Sequence, residues 1–185
     1  MKAKELARLI RFVLWVHDGK AKKHSKRFRK WDGKTPYGIH PIWCAMTILT
    51  ETGLPEDIRI SGAQALLLHD ILEDTTADLP NEVPDEVVKL VREMTFDSSE
   101  EEMKLIWRKS KKIKLLKLYD KVSNLLDGSW MSSEKRERYL AYVKALSEEV
   151  ESHYGELNIT KIARALTAIK CLNKIHLLSM TTTIQ

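Results

Sequence analysis

The chain has 185 residues, of which 43% are hydrophobic and 31% charged, the balance of one globular domain with enough apolar surface to build its own core. That excludes a peptide scaffold and a large multidomain enzyme, and no run approaches the ~18 apolar residues that a membrane span needs. The formal charge of +5 and pI near 9.1 suit polyanionic partners without separating nucleic acid from nucleotides.

Helical periodicity dominates and strand-like alternation is nearly absent, so the predicted class is all-α. Leu6, Leu9, Ile10, Val13 and Leu14 form the stripe of a first helix ending near Asp18-Gly19. Arg8 and Arg11 interrupt its apolar run and no small-residue cleavage site follows, which argues against a signal peptide. Lys20 to Lys34 is a basic connector with eight Lys or Arg, and Gly33, Pro36 and Gly38 make its second half a loop. A second helix is expected from Ile42 to Thr52 with Pro41 at its first position. A third, the most apolar and therefore central, runs from about Gly62 to Asp74. Pro84 opens a fourth as its first helical residue, with Asp85 and Glu86 in the turn favoured by the helix dipole and Val87, Val88, Leu90, Val91 and Met94 as its apolar stripe. Further helices are expected at Ser99 to Trp107, Ile113 to Asp127, Ser133 to Tyr154 and Ile159 to Leu178, with Ser132 or Ser133 as a capped start. Cys44 and Cys171 do not make a disulfide framework, which suits a reducing cytoplasm.

The third helix carries His69-Asp70 and Glu73-Asp74 beneath an apolar run. At about 100° per residue the four polar side chains share one arc. Burying three carboxylates together costs several kcal/mol unless a cation, basic partners or protons neutralise them, and an imidazole beside a carboxylate suits manganese, iron or zinc. The bland alternative is a solvated helix end with a satisfied core histidine. Asp120 and Asn124, four apart on the Ile113 to Asp127 helix, share a face inside a Leu-rich stripe. They supply further donors unless Asp120 simply pairs with Lys117 or Lys121 on the surface. His40, just ahead of Pro41, is the remaining candidate.

This pattern resembles the HD phosphohydrolase superfamily, in the version found in RelA/SpoT-type (p)ppGpp hydrolases. His24, Arg29-Lys30, Gly33, Thr35-Pro36-Tyr37 and His40-Pro41 are similar to that family's upstream segment. Ala65 to Thr75 resembles its Ala-Leu-Leu-His-Asp-x-x-Glu-Asp-Thr element, Val91 to Thr95 its Val-x-x-x-Thr, and Ser133 to Tyr139 its Ser-Glu-x-x-x-x-Tyr. The resemblance spans residues 5 to 155. Lys26-Arg27 stands where the family has Gly-Gln, Tyr119 precedes the Asp where a small residue is usual, and Trp31 and Trp43 lie outside the pattern.

The resemblance implies a single HD domain, taken as residues 1–157; residues 158–185 lie outside it, and the amphipathic face of Ile159, Ile162, Ala163, Leu166 and Ile169 predicts a C-terminal helix and tail packed on the same domain. It implies metal ligands His40, His69, Asp70 and Asp120, with manganese as the usual ion, and Glu73 and Asp74 as the catalytic carboxylates that orient or deprotonate the attacking water. Arg29 and Lys30 would neutralise substrate charge, and Asn124, helped by Ser123, would contact the nucleotide sugar or base. Tyr37 would pack the loop or stack, while Lys117 and Lys121 would face solvent or phosphates. The implied reaction is removal of the 3′-pyrophosphate of ppGpp or pppGpp, leaving GDP or GTP. Two alternatives remain: an HD hydrolase of another phosphorylated nucleotide or dinucleotide cofactor, and a non-catalytic basic module binding nucleic acid. The expected partner is a nucleotide, with neither a membrane nor a specific nucleic acid, and the amphipathic C-terminal helix offers a homodimer contact.

Overall fold

Two helices are buried on every side along most of their length, which places them at the centre of the domain. The computed structural model describes residues 2–23 and 27–168. In it α3 (Glu56–Leu68) is buried continuously from Ser61 to Leu68, and α7 (Lys111–Leu126) from Ile113 to Ser123. Around this pair, α1 (Ala3–Gly19) and α5 (Asp85–Met94) lie against α3, α2 (Ile39–Leu49) lies against both central helices, and α8 (Ser133–Tyr154) covers α7. Gly62 sets the approach of three of them: a Cβ there would stand 2.8 Å from Ile48 Cδ1 and 3.0 Å from Leu116 Cδ2. Among the described residues there is no strand; the core is built from helices, with Leu54, Val83, Met131 and Leu157 added from the connections.

Local chemistry explains where the helices begin. Ser98, Ser110 and Ser132 each accept a hydrogen bond from an amide three residues on, capping α6 (Ser99–Leu105), α7 and α8, so that donors without an intrahelical partner are satisfied. The last turn of α6 tightens into a 3₁₀ turn over Ile106–Arg108. Pro84 is the cap residue of α5 rather than its first helical residue.

Two boundaries differ from the sequence expectation in ways that matter. Helix α2 starts at Ile39 rather than Ile42, so His40 lies inside its first turn and Pro41 follows at the third position. Pro is tolerated there because first-turn amides have no intrahelical acceptor. The expected single helix from Gly62 to Asp74 is instead α3, starting behind Pro55, then a break at His69-Asp70, then the short α4 (Ile71–Asp74). The break has a local cause. His69 Nδ1 lies 2.8 Å from the Leu66 carbonyl oxygen, the acceptor that a continuing helix would offer to the Asp70 amide.

The basic connector is folded as a clip. Phe28 bridges Pro36, Arg29 N–H donates to Thr35 O at 2.8 Å and Tyr37 N–H to Arg27 O at 2.8 Å. The Asp32 carboxylate accepts from the Lys34 and Thr35 amides and the Thr35 hydroxyl. Gly33, at φ +66°, makes the left-handed turn that other residues resist. Residues 158–168 are helical, with Ile159 and Ala163 buried in the common core. The expected helix beyond 168, its dimer contact, Cys171 and His24 lie outside the described residues.

Leu116 is fully buried at the meeting of α7 with α2 and α3. Leu116→Ala should therefore lower the unfolding free energy by about 2–5 kcal/mol, read as a reduced urea midpoint at unchanged m-value.

Candidate active site

Four ionisable side chains from three parts of the chain converge on one point. His40 comes from the first turn of α2, His69 and Asp70 from the break between α3 and α4, and Asp120 from the middle of α7. All are buried. His40 Nε2 lies 3.3 Å from Asp120 Oδ1 and 3.6 Å from Asp70 Oδ2. His69 Nε2 lies 3.2 Å from Asp70 Oδ1 and 3.8 Å from Asp120 Oδ1. Donor atoms of His40, His69 and Asp120 all fall within 4.8 Å of one another, with Asp70 at their edge.

The far side of each imidazole is already engaged. His69 Nδ1 faces a carbonyl oxygen, which only accepts, so that nitrogen carries the proton; His40 Nδ1 meets Ser123 Oγ at 2.8 Å. This fixes the rings with Nε2 pointing inward, as ligand histidines are held by their other nitrogen. Both Nε2 atoms are buried without a hydrogen-bond partner. Inward nitrogens left unpartnered between two carboxylates are the donor set of a divalent transition metal, and the residues fit such an ion.

The electrostatics agree. Burial by itself pushes His69 down, yet the Asp70 and Asp120 carboxylates hold it up to about 9. Burial wins at His40, whose pKa is lowered. Burial works against ionised Asp70 as well, but His69 and His40 bring it to about 2. Asp120 is held well below the usual range, against burial, by Lys121 and Lys117. The metal-free cluster thus keeps a proton on His69 that a bound cation would replace.

Lys117 and Lys121 do not face solvent, one of the two placements expected from sequence; they are 2% and 8% exposed, and Lys121 lines the cavity beside the cluster. Each ammonium lies 3.1 Å from Asp120 Oδ2, and they reach Glu102 Oε2 at 2.9 and 2.8 Å. Tyr142 O–H donates to Glu102 at 3.0 Å. Asp120 therefore pairs with both lysines, but in the interior. The pairing uses Oδ2, and Oδ1 accepts from Asn124 Nδ2 at 2.7 Å while facing the histidines.

Beside the cluster lies a cavity of about 290 Å³ lined by Arg29, Lys30, Tyr37, Asp70, Glu73, Asp74, Asp120 and Asn124, and also by Trp130, Lys135 and Tyr139. Arg29 is buried, its guanidinium forked onto Asp127 at 2.5 and 2.9 Å with Asn124 Oδ1 at 2.8 Å. Much of its charge is therefore already matched. Lys30 sits 4.3 Å from the Trp130 ring centre, with Lys135 4.7 Å from the same ring. Tyr37 O–H donates to Asp70 Oδ2 at 2.9 Å, and His17, buried behind it, stacks on its ring at 4.7 Å. Glu73 Oε1 accepts from Phe96 N–H at 3.2 Å; burial first, then the Asp70 charge, push its carboxyl up to about 7. Asp74 is buried on the same wall.

Sequence reasoning missed Glu102, Asp127, Trp130 and Lys135. Glu102 is one of three acids in the first turn of α6, and Asp127 is the residue that ends α7. No sequence signal distinguished either from its exposed neighbours.

Comparison with known proteins adds to this geometry. No family model matches the chain, and no curated protein matches it. Among solved structures it is similar to a metazoan ortholog of SpoT that hydrolyses ppGpp and plays a role in starvation responses. The TM-score is 0.69 and the identity 21%, covering 92% of this chain and 97% of that one. The two share the helical fold described above. Among the described residues no helix is long and apolar enough to cross a membrane.

Two measurements test the site. Titrating metal-free protein with Mn²⁺ at pH 7.5 should release about one proton per ion, read from the dependence of calorimetric heat on buffer ionisation enthalpy; His69→Ala should abolish the release. In metal-free protein the raised Glu73 carboxyl favours the folded state below its unfolded value of 4.5, and that advantage is lost as pH rises through about 7. Wild type should therefore lose on the order of 1–3 kcal/mol relative to Glu73→Gln between pH 4.5 and 8, as measured by paired urea melts.

Proposed function

We propose that the protein is a metal-dependent phosphohydrolase that removes the 3′-pyrophosphate of ppGpp or pppGpp. The observation that carries this reading is the pair of buried, unpartnered Nε2 atoms of His40 and His69 facing Asp70 and Asp120 at a cavity that also presents lysines. The shared fold with a ppGpp-hydrolysing protein supports it.

His40, His69, Asp70 and Asp120 would hold a divalent ion, manganese in this reading, which when bound supplies Lewis acidity to phosphoryl oxygens. Everything else is assigned to side chains. Glu73, with a carboxyl poised near neutrality, accepts the proton of the attacking water, and buried Asp74 helps orient that water. The water oxygen bonds to the phosphorus attached to the ribose 3′ oxygen as that P–O bond breaks. The 3′ oxygen leaves, taking a proton, to give GDP or GTP and pyrophosphate.

Lys30, beside Lys135 on the Trp130 indole, neutralises phosphate charge at the cavity rim. Asn124, tied to both Asp120 and Arg29, meets the sugar or base, and Tyr37 orders Asp70 and the connector. Arg29, already matched by Asp127, serves orientation more than charge.

A manganese-supplemented assay on ppGpp beside other nucleotides tests this. Wild type should release pyrophosphate from ppGpp, Asp70→Ala should lose at least ~10³-fold with reduced metal uptake, and Glu73→Gln should lose ~10²–10⁴-fold in kcat with metal content retained. Turnover of a different nucleotide alone would discard the substrate and keep the site.

A further inference from the structure

The proposed function uses only Arg29 and Lys30 of the basic connector, and another of its lysines is placed where charge alone does not account for it. Helix α4, which carries Glu73 and Asp74, is four residues long. A single turn is marginal by itself, and its last carbonyls have no acceptor role within the helix. Lys22 meets three of them in succession. Its ammonium donates to Leu72 O at 2.8 Å and Glu73 O at 3.0 Å, and its amide N–H donates to Asp74 O at 2.8 Å. Thr76 N–H returns a bond to Lys20 O at 2.9 Å, and Ala21 bridges Thr75.

We infer that Lys22 is a positioning residue that fixes Glu73 and Asp74 by closing the C-terminal end of α4. A cation at a helix C-terminus is favoured by the helix dipole. The side chain is exposed and touches no residue of the metal cluster, so it acts through the backbone that bears the two carboxylates. The effect on turnover rests on the proposed hydrolase activity; the effect on α4 does not.

Three variants separate the roles: Lys22→Met, Lys22→Arg, and Lys23→Met, which removes the same charge from the exposed neighbouring residue. Hydrogen exchange at the Asp74, Thr75 and Thr76 amides should accelerate ~10-fold in Lys22→Met, stay within about threefold of wild type in Lys22→Arg, and not change in Lys23→Met. With ppGpp and manganese, Lys22→Met should lose ~10-fold in kcat while KM and Mn²⁺ affinity stay within about twofold; Lys22→Arg should recover most of the loss. Unchanged exchange in Lys22→Met, or an equal effect from Lys23→Met, overturns the inference. So does a raised KM at constant kcat, which would make Lys22 a substrate contact. If no variant, wild type included, turns over ppGpp, the function fails and the exchange result still decides the role of Lys22.

Discussion

The structure turns on how an aspartate in the middle of its most buried helix stays ionised. Asp120 is surrounded by protein, and an isolated carboxylate there would be too costly to keep charged. Two lysines one turn apart on the same helix neutralise Oδ2 and are themselves balanced by Glu102. That leaves Oδ1 facing His40 and His69. Removing one partner from such a network exposes the desolvation cost of the rest, so α6, α7 and α8 are coupled through Glu102, Lys117, Lys121 and Tyr142. The network also gives the interior its polarity: cations behind the aspartate, and in front of it the imidazole nitrogens and carboxylates that suit a dication.

The remaining parts of the site are held by borrowing from loops. The His69 side chain engages the carbonyl that would have continued α3, and the resulting break turns Asp70 toward Asp120 while α4 carries Glu73 and Asp74 onward. The connector then supplies what these short pieces lack. Tyr37 bonds Asp70, Lys22 closes α4, and Arg29 spans to Asp127 and Asn124 at the end of α7. The basic connector is thereby fastened at several points to the residues with which it shares a cavity.

Much of this was legible in the chain because periodicity and capping are local. The α8 boundaries, its serine cap and the apolar stripe of α5 follow from residue order alone. So did the grouping of His69-Asp70 with Glu73-Asp74 and of Asp120 with Asn124, since polar residues interrupting an apolar run need partners wherever they end up. The single continuous helix to Asp74 was wrong because periodicity does not register a side chain competing for its own helix's carbonyl. Lys117 and Lys121 were assigned outward because lysine is seldom buried, and nothing nearby in sequence announces Glu102 as their partner.

Residue order determined that the protein is all-helical, that a histidine and acids follow directly on its most apolar stretch, and that the connector is basic. These depend on interactions within a turn or two of chain. Only the tertiary structure decided which charges cancel in the interior, that Arg29 is matched by Asp127 rather than left wholly to a ligand, and that two imidazoles meet with their inward nitrogens unpartnered. Ionisation and hydrogen bonding of buried groups depend on distance and dielectric, and those are set by the packing of helices far apart in sequence.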